Sequence, residues 1–229
     1  MEYPHNRPYT ADDLVRIITL LRDPVNGCPW DKVQTHTSIR MNFLEEAYEA
    51  VDALDLDDPV LMCEELGDVL MQVAFHTCME QETGRFTWEQ VCDGVCQKLI
   101  ERHPNIFGTQ PGYEGITDWD ALKNKEKGRR TLADDLESVP RAMPALMRAA
   151  KLQKRAARHG AALQGADAAA LADAAENLQT AQHASAQAEQ AVGELLFAAA
   201  NLARQAGVDP EQALQKANEA FCTAAGPVA

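Results

Sequence analysis

Basic residues are in deficit: 21 Lys and Arg stand against 35 Asp and Glu, a formal charge of −14 at pH 7. Such a surface repels nucleic acid and anionic membrane outside local basic patches, so no strong nucleic-acid binding is expected. Aromatics make up only 6% of the chain. With β-branched runs also sparse, and Ala, Leu, Glu and Gln abundant, helices are favoured over sheets. No apolar run reaches membrane-spanning length, and no positively charged leader precedes a hydrophobic segment. The six cysteines, Cys28, Cys63, Cys78, Cys92, Cys96 and Cys222, form no Cys-x-x-Cys pair and no zinc-like spacing. Several sit in apolar helical stretches, which reads as reduced, packed thiols in a cytoplasmic protein. Gly-x-x-x-x-Gly-Lys is missing, which excludes a P-loop nucleotidase, and so are Gly-x-Ser-x-Gly and His-Glu-x-x-His. The six histidines are scattered, and each reads as structural or exposed rather than as a ligand.

What is present is helical punctuation. Thr10-Ala-Asp-Asp13 reads as an N-cap with an acidic first turn, followed by Leu14, Ile17, Ile18 and Leu21 at helical spacing. Pro24 and Gly27 end that helix, and Cys28-Pro-Trp-Asp-Lys32 is a loop. A second helix is expected over 38–54. A third starts at Pro59, with Leu66, Val69, Leu70 and Val73 as its apolar stripe, and stops at Gly84. Thr87-Trp-Glu-Gln90 is a capping box that opens a fourth helix, closing near His103-Pro104.

Beyond Gly160 the composition shifts. Of the last 69 residues 25 are alanine, a stretch that stays helical but offers few groups for chemistry. Gly67-Asp-Val-Leu70 is echoed there by Gly193-Glu-Leu-Leu196, with Ala191 where Glu65 stands and Glu194 where Asp68 stands. Ala220 falls at the place of Lys98. This reads as a duplicated helical unit whose second copy lost its acidic set. The expected organisation is a first domain over 1–107, a linker over 108–139 and a degenerate second domain over 140–229.

Two acidic clusters carry the chemistry: Glu45-Glu-Ala-Tyr-Glu49 and Glu64-Glu-Leu-Gly-Asp68. In each, carboxylates three or four residues apart share a helix face. Packed antiparallel across a short turn, with Gly67 allowing close approach, Glu46, Glu49, Glu65 and Asp68 would converge. Four carboxylates with no His or Cys suit a hard divalent ion, Mg²⁺ or Mn²⁺, that accepts phosphate oxygens. A solvated acidic face is the bland alternative, and matched spacing on successive helices argues against it. A di-iron carboxylate bundle wants Glu-x-x-His twice, and neither cluster has a histidine. Lys98 and Arg102, four apart, could aim together at a bound phosphate. Trp30 suits either stacking on a nucleobase or anchoring its loop in a core. Asp31, Lys32 and Arg40 are weaker candidates at the same mouth.

These motifs resemble those of the MazG family, within the all-α NTP pyrophosphatase superfamily. The resemblance covers nearly the whole chain. It rests on Cys28-Pro-Trp-Asp-Lys32 with Gln34-Thr35, Glu45-Glu-Ala-Tyr-Glu49, Glu65-Leu-Gly-Asp68, Arg102-His-Pro-Asn-Ile-Phe107 and Pro144-Ala-Leu-Met-Arg148. It implies an all-α fold of tandem helical-bundle repeats. It also implies hydrolysis of NTPs or dNTPs to monophosphate and pyrophosphate, and a homodimer. In that frame Glu46, Glu49, Glu65 and Asp68 hold Mg²⁺, Glu45 orients or deprotonates the attacking water, and Lys98 and Arg102 bind phosphates. The retained acidic set places activity in the first domain. The rival expectation is a catalytically weak nucleotide-binding regulatory or dimerisation protein of the same fold.

Overall fold

The computed structural model describes residues 2–5, 7–108, 122, 124 and 126–226, and no strand occurs among them. The chain divides into two compact units, Met1–Ile116 and Thr117–Ala229. Part of the expected 108–139 linker lies outside the described residues, and a short helix, α5 (Leu132–Glu137), occupies its later part.

The N-terminal unit contains α1 (Ala11–Leu21), α2 (Arg40–Asp55), α3 (Pro59–Glu82) and α4 (Trp88–Arg102). Three of the four starts are set by side-chain caps. Thr10 and Asp13 form a reciprocal box on α1, Asp58 accepts from the amides of Val60 and Leu61, and Thr87 and Gln90 box α4. Pro59 sits in the first turn of α3, where a missing N–H costs nothing. α3 is the spine: α1, α2 and α4 all pack on it.

The core comprises Val15, Ile18, Ile39, Ala74, Phe75, Cys78, Met79 and Trp88. It draws on the later turns of α3, so the expected stripe is corrected. Leu66 is 51% exposed and Leu70 is 40% exposed. At 24 residues α3 is about 36 Å long, well over the length of α1, which covers only one end of it. The expected role of Gly67 is corrected too, since a Cβ there would meet no atom within 4 Å. Ala50 and Ala53, buried on α2, are the small residues that bring α2 against α3.

The C-terminal unit contains α5, α6 (Ala145–Arg158), α7 (Ala168–Thr180), α8 (Ala186–Gln205) and α9 (Pro210–Ala225). Here α6, α7 and α9 each pack on α8. Its buried apolar residues are mostly alanines, among them Ala174, Ala191, Ala198 and Ala200. Asp135, fully buried, takes ion pairs from Arg155 at 3.0 Å, Arg158 at 2.9 Å and His159 at 3.1 Å. Burial by itself would raise the Asp135 carboxyl, but Asn124, Arg158, His159 and Arg155 outweigh it and hold the pKa below the ordinary range.

Candidate metal and nucleotide site

α2 and α3 form an antiparallel hairpin around the turn at Leu56, Asp57 and Asp58. Equal rise per residue then sets positions equidistant from the turn side by side. Glu49 and Glu65 each lie eight residues from Asp57, and Glu46 and Asp68 each lie eleven. The side chains obey that register: ligand oxygens of Glu46, Glu49 and Glu65 all come within 4.8 Å of one another. Asp68, half-buried, is close enough to raise the pKa of both Glu46 and Glu65 by repulsion.

The electrostatics is that of an uncompensated acidic nest. The Glu46 carboxyl is pushed up first by desolvation and then by Asp68 and Glu49, against one lowering hydrogen bond from Gln72 at 3.4 Å. Glu65 is likewise raised by desolvation, then by Glu49, Glu64 and Asp68. Four carboxylates with no ion-paired cation among the described residues fit a hard divalent ion, whose charge would relieve that repulsion. Glu45, the expected base, is exposed on α2 beside the trio but outside it.

The loop before α2 holds the other expected residues. Trp30 is 57% exposed, so the core-anchor alternative does not hold within this unit, and the ring is available for stacking. Asp31 and Lys32 lie in a single 3₁₀ turn, Asp31–Val33. Arg40 is exposed as the first residue of α2. Lys98, exposed, and Arg102, half-buried, stand one turn apart near the end of α4.

Sequence reasoning missed what secures that loop. Arg22, just after α1 and only 8% exposed, binds Glu82 of α3 through two hydrogen bonds and donates to the carbonyls of Asp31 at 2.8 Å and Gln34 at 3.1 Å. Further along, His36 reaches the buried Glu80 at 2.6 Å and meets His76 through their Nδ1 atoms at 2.7 Å. Arg85 closes the other side of Glu80 at 2.5 Å. The only signal for these contacts was two acids in the last turns of an apolar helix, and nothing in the spacing named their partners.

A match to the MazG nucleotide pyrophosphohydrolase domain spans residues 34–107. The chain is 41% identical over 219 residues to the nucleoside triphosphate pyrophosphohydrolase of Escherichia coli strain K12, covering 92% of this chain and 83% of that one. The chain belongs to the MazG family. A second relative, the nucleoside triphosphate pyrophosphohydrolase/pyrophosphatase MazG of Thermotoga maritima, is 39% identical over 212 residues, covering 92% of this chain and 82% of its own. Within this MazG member the matched span holds the acidic quartet, Arg40, Lys98 and Arg102, whereas Trp30, Asp31 and Lys32 precede it.

Proposed function

We propose that the N-terminal unit hydrolyses nucleoside and deoxynucleoside triphosphates to the monophosphate and pyrophosphate. The convergence of Glu46, Glu49 and Glu65 within 4.8 Å carries this reading. With Asp68 they would hold Mg²⁺ or Mn²⁺, which when bound gathers phosphate oxygens and lowers the pKa of a coordinated water. Glu45 orients the attacking water and takes its proton as the water oxygen bonds to the α-phosphorus. The bond from that phosphorus to the bridging oxygen breaks, and pyrophosphate leaves with the bridging oxygen. Lys98 and Arg102 hold the phosphates, and Trp30 stacks on the base. Asp31, Lys32 and Arg40 make contacts at the mouth.

The C-terminal unit has alanine at 191 where the first unit has Glu65, which supports assigning turnover to the first unit and reading the second as a degenerate repeat. The matching packing order, three helices on α3 and three on α8, supports the same reading. Exposed Leu66 and Leu70 on α3, with exposed Val95 and Leu99 on α4, favour a homodimer that covers them. No described helix is long and apolar enough to cross a membrane, and a cytoplasmic location is part of this proposal.

The test is a pyrophosphate-release panel over NTPs and dNTPs, with and without Mg²⁺. Release that needs Mg²⁺ and disappears in Glu46→Gln and Asp68→Asn supports the assignment. Release that survives both substitutions refutes it.

A further inference from the structure

The C-terminal unit, stripped of the acidic set, carries a cavity of the opposite sign. It has a volume of about 610 Å³ and lies between α6, the end of α8 and the start of α9. Lys151, Lys154 and Arg204 line it, together with Met143, Met147 and Val208. That size is within the range of small-molecule sites, and an apolar wall with a few convergent charges is their usual composition.

The three cations, two on α6 and one on α8, differ from Arg155 and Arg158 of α6. Arg155 and Arg158 are bound to the buried Asp135, whereas no carboxylate lies within ion-pair distance of Lys151, Lys154 or Arg204 among the described residues. Asp209 also borders the cavity, but its Oδ1 is committed to the amides of Glu211 and Gln212 at 3.0 Å each. Arg204 completes the last turn of α8, where a cation suits the helix end whether or not a ligand binds. Its orientation says more. The buried Asn201, itself anchored by donation to the Ala166 carbonyl at 2.6 Å, accepts from Arg204 Nε at 2.9 Å. That leaves the terminal Nη groups, the pair that reads a phosphate edge, without a described partner. Three cations set against the single carboxylate of Asp209 leave the cavity net positive, and a polyanion would offset that charge. In a chain of charge −14 such a grouping does not follow from average composition.

We infer that this cavity binds a phosphate-bearing anion of nucleotide size, with its phosphates on Lys151, Lys154 and Arg204 and its apolar part against Met143, Met147 and Val208. The site is separate from the acidic hairpin and needs no metal. It thus gives the unit that lacks the carboxylates a ligand of its own, such as a nucleotide that reports on the pool the other unit consumes.

Calorimetry of the full chain in EDTA, titrated with ATP, tripolyphosphate and adenosine, tests this, because the proposed catalytic site requires a divalent ion and is silent there. ATP should bind below about 1 mM, tripolyphosphate more weakly and adenosine not at all. A Lys151→Gln/Arg204→Gln variant should weaken ATP binding about tenfold or more, while Lys98→Gln leaves it unchanged. If the double variant does not fold, Lys154→Gln alone should still weaken binding severalfold. No metal-free ATP binding by the wild type, binding indifferent to Lys151, Lys154 and Arg204, or loss through Lys98→Gln overturns the inference. Tripolyphosphate binding as tight as ATP overturns its nucleotide half.

Discussion

Arg22 holds Glu82 through two parallel hydrogen bonds, Nε to Oε1 at 2.6 Å and Nη2 to Oε2 at 2.9 Å, across 60 residues of sequence. The same guanidinium grips the loop that carries Trp30 and Lys32 through the carbonyls of Asp31 and Gln34. One planar fork therefore ties the end of α3 to the loop, while the earlier turns of α3 carry Glu65 and Asp68. α3 becomes the common support of the acidic hairpin and of the residues proposed to meet the base.

Arg22→Lys keeps the charge and loses the fork. It should cost about 2 kcal/mol of stability, read by denaturant unfolding. KM for the triphosphate should rise more than kcat falls. Equal loss in both would show that the loop does not contribute to nucleotide binding.

Neutralising one acid of the trio, as Glu49→Gln or Glu65→Gln, should lower turnover about 10²-fold or more and abolish Mg²⁺ uptake in calorimetry. Stability should not suffer, since the substitution removes like-charge repulsion: the metal-free melting temperature stays level or rises.

Trp30→Ala should raise KM about tenfold, the equivalent of one lost stacking contact, and Trp30→Phe should recover most of it. Because the side chain is exposed, the melting temperature should not move. A fall in melting temperature with KM unchanged would make Trp30 a packing residue.

His76 is held below the ordinary imidazole range by burial and by His36, with Glu80 opposing. The folded state therefore takes up this proton less readily than the unfolded chain. The contribution to stability is complete above about pH 6.5 and is lost as pH falls below it toward the lowered folded pKa. Arg85 and His36 also face Glu80, so the comparison is between the wild type and His76→Gln. The melting temperature of the variant should fall less between pH 7 and pH 5.

Asp135→Asn removes a carboxylate shared by Arg155, Arg158 and His159. With Arg155 buried, the C-terminal unit should lose about 3–5 kcal/mol, read as an earlier unfolding transition.

The helix starts were legible because capping is local. Thr10 and Thr87 act within their own first turns, so spacing alone revealed them, and Pro59 marked the start that Asp58 caps. The acidic hairpin was legible for a related reason: one short turn fixes its register, and Glu49 must then face Glu65. Burial along α3 was not. Leu66, Leu70 and Phe75 are all apolar, but which are covered depends on how far α1 and α4 extend. Nor were the pairs Arg22–Glu82 and His36–His76, since residues 60 and 40 positions apart meet only after α1, α2 and α3 have packed.

The amino-acid order alone determined an all-helical chain and one facing pair of acid clusters, because capping, helical periodicity and a single tight turn act over a few residues. Tertiary packing alone decided which cation clamps the Trp30 loop, and it left Lys151, Lys154 and Arg204 around one cavity with no ion-paired carboxylate among the described residues. Those outcomes depend on helix lengths and on which faces meet, and no short stretch of sequence encodes either.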